Sequence, residues 1–190
     1  MKCILHGGFT REDNESNQAF FREFVNDLPP HATILLCYFA SRVEAEIPEQ
    51  ALIHQRAIER ARPDASFVFV VARTESFLEH VATANAVFFN GGSTSKLLRV
   101  LREFPNLPEL LASKTVAGSS AGAYALAVLG ASHSEPGPRN GLGIVPVRVV
   151  CHYESGRLPP LPESVAVLSS QRTDLPLVLL RDYEWKVFSR

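Results

Sequence analysis

Five short runs, apolar on nearly every residue, alternate with stretches of helical spacing along the first two thirds of the chain. The runs are residues 2–5 (KCIL), 33–40 (TILLCYFA), 66–71 (SFVFVV), 86–89 (AVFF) and 115–117 (TVA). A strand wetted on one face alternates apolar with polar residues, whereas one that is apolar throughout is covered on both faces. Between the runs, residues 15–27 set Phe20, Phe21, Phe24 and Val25 at helical spacing, and 48–61 open with Pro48 and carry Ala51, Leu52, Ile53, Ala57 and Ile58. Residues 75–83 and 94–104 repeat the pattern, the latter with Leu97, Leu98 and Leu101 on one face. This alternation predicts a doubly wound, mostly parallel α/β sheet in a three-layer sandwich, with its ligand crevice at the carboxyl ends of the strands.

The last third changes character. Residues 134–146 are dense in Gly and Pro and read as a loop, 147–151 as a strand ending at His152, and 164–168, 176–180 and 184–188 as small strands of an antiparallel extension. With no repeat and no long linker, residues 1–190 read as one domain.

Charge and cysteine content narrow the partners. A net charge of −1 gives no basic footprint, so neither nucleic acid nor an anionic membrane surface is an expected partner. Cys3, Cys37 and Cys151 lack metal or disulfide spacing and read as reduced core residues. The chain enters a strand at once, without a signal-peptide pattern, and no apolar run reaches the ~18 residues of a membrane span, which gives a cytoplasmic location as the expectation.

Residues 116–123, VAGSSAGA, join a strand to an alanine-rich helix through Gly-x-Ser-x-Gly, with Ser120 at the bend and a helix expected from about Ser120 to Leu129. Small residues on both sides allow a tight turn that exposes the bend hydroxyl, and the amide of Ala121 faces the same side. A serine hydroxyl needs a base. His54 and His80 fall in helical patterns and His31 at the wrong end of a strand, which makes them solvated bystanders. His6 ends the first strand, and His152 ends a strand beyond the loop, where it reaches the carboxyl-end crevice; His152 is the preferred base. Either Glu135, in the loop before the histidine, or Glu154, two residues after it, could orient the imidazole.

Five segments together resemble the peptidase E family, dipeptidase E and cyanophycinase-like serine peptidases built on a class I glutamine amidotransferase-like fold. They are His6-Gly7-Gly8, Phe88–Thr94 (FFNGGST), Gly118–Ala123 (GSSAGA), Gly141–Pro146 (GLGIVP) and Cys151-His152-Tyr153, in order over about residues 1–155. The resemblance implies Ser120 as nucleophile, His152 as base, and the amides of Gly92 and Ala121 as the oxyanion hole. It also implies an acid between nucleophile and histidine, the place of Glu135, while the related amidotransferases would put it at Glu154; Glu135 is preferred.

The implied reaction is hydrolysis of dipeptides or short peptides by a monomer or homodimer, with no cofactor and no metal. Asn90, Thr94 and Tyr153 are the candidate substrate contacts, with Tyr124 and Arg148 as further pocket candidates. A non-catalytic or regulatory binding protein on the same fold is the alternative.

Overall fold

The computed structural model describes residues 1–134 and 137–189. The strands are β1 (Lys2–His6), β2 (Thr33–Cys37), β3 (Val68–Val71), β4 (Ala86–Phe89), β5 (Thr115–Ser119), β6 (Ala127–Gly130), β7 (Arg139–Asn140), β8 (Val145–Val150), β9 (Leu177–Leu179) and β10 (Trp185–Ser189). The helices are α1 (Glu15–Val25), α2 (Ile47–Ala61), α3 (Phe77–Thr83), α4 (Thr94–Leu101), α5 (Leu107–Leu111), α6 (Ala121–Leu126) and α7 (Pro162–Ser170).

The main sheet runs β10-β1-β5-β4-β2-β3, with β1 to β5 mutually parallel and β10 antiparallel on β1. The inner strands β1, β2, β4 and β5 are buried on both faces, as their continuous apolar composition requires, while the edge strands β3 and β10 are partly exposed. Leu5, Leu35, Val87, Phe89 and Val116 point to the layer that holds α3, α4, α5 and α6. Their neighbours Ile4, Ile34, Leu36, Phe88 and Ala117 point to the opposite layer, where Phe20, Phe21 and Phe24 of α1 and Ile58 of α2 close the core. The result is the expected three-layer α/β sandwich, and β10 is the expected antiparallel edge.

A second sheet, β7-β6-β8-β9, departs from the sequence expectation. The helix after Ser120 stops at Leu126, and residues 127–130 turn into β6 because Val145–Val150 offers them a parallel partner; pairing overrides the helical preference of alanine. Residues 164–168 are helix, not strand. Pro162 opens α7, whose Val165 and Leu168, three apart, share the small cluster with Leu129, Ala131 and Val150. Leu177–Leu179 is a strand but pairs parallel with β8 rather than antiparallel. Among the described residues no helix is long and apolar enough to cross a membrane.

Register places the site. Phe89 of β4 and His6 of β1 flank β5 at Gly118 and Ser119, so the loops after all three strands emerge side by side around Ser120.

Candidate active site

Ser120 occupies a forced bend. Its φ of 49° and ψ of −104° lie outside the regions open to ordinary side chains, and strain of this kind gathers at functional sites. Two bonds hold it: its amide donates to the carbonyl of His6 at 2.9 Å, and its carbonyl accepts the amide of Tyr124 at 2.9 Å. The flanking glycines are required by space. A Cβ on Gly118 would meet the backbone of Gly122, and one on Gly122 would meet the carbonyl of Phe89.

His152 follows the end of β8 and is buried, with its ring between two oxygens. Nε2 lies 3.1 Å from Ser120 Oγ, and Nδ1 lies 2.6 Å from Asp182 Oδ1. A carboxylate only accepts, so Nδ1 carries the proton and Nε2 is left to accept from the serine hydroxyl. Asp182 is itself held, since its Oδ2 accepts from Ser155 Oγ at 2.6 Å. Burial pushes the His152 pKa below the ordinary imidazole value, opposed by the hydrogen bond and charge of Asp182. The ring is therefore neutral, and a competent proton acceptor, at neutral pH.

The carboxylate is not the one expected. Glu135 lies outside the described residues. Glu154 is exposed and pairs with Arg181 at 2.6 Å. Asp182 stands on the turn between β9 and β10, and the antiparallel pairing of β10 with β1 delivers that turn to the carboxyl end of β1. Its signal in the sequence is an aspartate between the strand-like runs 176–180 and 184–188, beyond the segment between nucleophile and histidine.

Ser120 and His152 line a cleft of about 590 Å³, with Phe9, Thr10, Arg42, Asn90 and Gly92 among its walls. Asn90 is buried there and donates to Gln50 Oε1 at 3.1 Å. Gly92 borders this cleft and a smaller recess of about 90 Å³ on the other side of Ser120, where Thr94 and His133 sit. Ala121 is the first residue of α6, so its amide has no partner within the helix.

Three candidate contacts have structural work instead. Tyr153 packs against the Leu129–Val150–Leu168 cluster. Tyr124 is buried, its hydroxyl accepting the Cys151 amide at 3.0 Å and facing the Cys151 carbonyl at 3.2 Å. The guanidinium of Arg148 donates to the carbonyls of Leu168, Ser169, Gln171 and Leu175 at the end of α7. His54 is no solvated bystander: it is fully buried, with Tyr38 Oη 2.8 Å from Nδ1 and Thr10 Oγ1 3.2 Å from Nε2.

The model of peptidase family S51 matches residues 4–188. Among solved structures, a peptidase from an acI-B1 actinobacterium is similar at TM-score 0.74 and 20% identity, covering 98% of this chain and 82% of that one. A putative peptidase E protein from Listeria monocytogenes EGD-e is similar at TM-score 0.65 and 17% identity, covering 100% of this chain and 97% of that one. No curated protein sequence matches.

Proposed function

Because the chain belongs to peptidase family S51, we propose that it is a serine peptidase cleaving dipeptides or short peptides through an acyl-enzyme on Ser120. The observation that carries this reading is the unbroken line from Ser120 Oγ through His152 to Asp182, at 3.1 and 2.6 Å. A cleft of about 590 Å³ around the hydroxyl suits a ligand of that size.

In the reaction, Ser120 Oγ attacks the peptide carbonyl while its proton passes to His152 Nε2, and the carbonyl π pair moves to oxygen. The amides of Gly92 and Ala121 hold that oxyanion, a stabilisation of about 3 kcal/mol for each donor in comparable sites. Collapse breaks the C–N bond as Nε2 returns the proton to the leaving amine. Water, deprotonated by His152, then hydrolyses the ester and frees Ser120. Throughout, Asp182 fixes the imidazole tautomer and stabilises the transient imidazolium.

A fluorophosphonate probe tests this directly. Wild-type protein is expected to be labelled on Ser120, and Ser120→Ala to lose both labelling and dipeptide hydrolysis while keeping its fold. His152→Ala is expected to lose comparable activity, with the double variant no worse than either single one, since nucleophile and base act as a unit. Dipeptide turnover undiminished in Ser120→Ala would end the reading.

A further inference from the structure

We propose that His6 is a positioning residue: a buried, neutral imidazole that, with Asn17, holds the loop after β1 against which the His152–Asp182 pair rests. The inference builds on the triad reading above.

Hydrogen-bond directions around His6 allow one arrangement. The amide of Gly8 donates to Nδ1 at 2.9 Å, so Nδ1 carries no proton and Nε2 does. Nε2 therefore donates to Asn17 Oδ1 at 3.0 Å. Asn17 Nδ2 in turn donates to the carbonyls of Phe9 at 2.9 Å and Glu12 at 2.6 Å, which fixes the amide orientation. Asn17 is anchored in the first turn of α1, where its backbone amide donates to Asn14 Oδ1 at 2.9 Å. The end of β1 and the start of α1 thus grip residues 8–12 through two side chains that are both buried.

That loop touches both members of the pair. The carbonyl of Gly7 accepts the His152 amide at 3.2 Å, and the carbonyl of Gly8 accepts the amide of Tyr183, next to Asp182, at 3.3 Å. Gly8 lies directly against the imidazole, with φ of 137°, and a Cβ there would collide with the His152 ring. Phe9 presents its ring to that of His152 at 4.8 Å between centroids and 68° between planes. The carbonyl of His6 also receives the Ser120 amide. Burial lowers the His6 pKa to about 3, so the ring is neutral at neutral pH and well below it.

An aromatic ring of similar size would fill the core at residue 6, where Phe20 already packs edge-on at 4.7 Å. A purely space-filling role and a positioning role therefore separate in His6→Phe, which keeps the ring but has no acceptor for Gly8. His6→Asn is the conservative partner, since its Oδ1 can stand near the place of Nδ1. Two readouts apply: the rate of fluorophosphonate labelling of Ser120, and the low-field NMR resonance of the His152 Nδ1 proton bound to Asp182.

In His6→Phe the labelling rate is expected to fall about 10- to 100-fold, in line with the cost of small misplacements, and the resonance to broaden or vanish. His6→Asn is expected to recover most of both. If His6→Phe does not fold, Asn17→Leu, which releases the carbonyls of Phe9 and Glu12, is expected to show the same losses. A folded His6→Phe or Asn17→Leu with wild-type labelling and an unchanged resonance would overturn the proposal. Wild-type protein that does not label would instead overturn the peptidase reading. The resonance, which needs no turnover, would then decide the positioning role: lost in His6→Phe it supports it, unchanged it refutes it.

Discussion

At the scale of single residues, Asp182 carries the most exposed assignment, because a carboxylate 2.6 Å from Nδ1 sets which nitrogen of His152 holds the proton. Asp182→Asn would offer an N–H where an acceptor is needed, turning the imidazole into the tautomer that cannot accept from Ser120. A fall in kcat of about 10³- to 10⁴-fold is expected, with KM little changed, as in other triads. Glu154→Gln, which removes only a solvent-exposed partner of Arg181, is expected to leave kcat near wild type. Steady-state kinetics of the two variants check this, and equal losses would undo the assignment. Ser120 and His152 were legible in the sequence because each ends a strand and carries a local signature. Asp182 was not, since it reaches His152 only through the pairing of β10 with β1, 30 residues along the chain from the histidine.

Elements show the same division between local and distant causes. The parallel strands announce themselves by composition, but residues 127–130 and 164–168 acquire their structure from partners that local pattern does not contain. Helix α7 illustrates how such a partner acts. Arg148, from the middle of β8, is buried and gives its guanidinium to four carbonyls at 2.9 to 3.0 Å, most of them in the last turn of α7 or just past it. Read in sequence it was a pocket candidate; in the fold it ties the second sheet to its helix. Arg148→Met keeps the aliphatic stem and removes the donor from the carbonyl of buried Leu168, at about 1–3 kcal/mol for a buried unsatisfied group, while the other three carbonyls lie closer to water. Urea denaturation is expected to show a loss of about 1–3 kcal/mol, with kcat preserved in the folded fraction. A change below about 0.5 kcal/mol, typical of surface substitutions, would show that the carbonyls find other partners.

For the molecule as a whole, the buried histidines tie stability to pH. His6 and His54 are both enclosed, and burial lowers each pKa from 6.5 to about 3. The unfolded chain binds protons on these rings below about pH 6.5 and the native chain does not, so their stabilising contribution is complete above 6.5 and is lost progressively toward 3. Each ring contributes a slope of half its limit at pH 6.5, approaching about 1.4 kcal/mol per pH unit near pH 5, or about 2.7 for the two together. Burial shifts His133 and His152 in the same direction. Surface carboxylates such as Glu12 and Asp13, held below the usual carboxylate range by hydrogen bonds from Arg157 and Gln18, weaken the fold only at lower pH. Between pH 6.5 and 5 the histidines therefore dominate. Unfolding free energies from urea titrations across that interval are expected to fall, with a slope that steepens toward the two-histidine limit near pH 5. His54→Gln should remove up to about 1.4 kcal/mol per pH unit of that slope, most of it toward pH 5. A flat profile from pH 6.5 to 5 would mean that protons reach these rings in the native state and that the core around His6 and His54 opens to water.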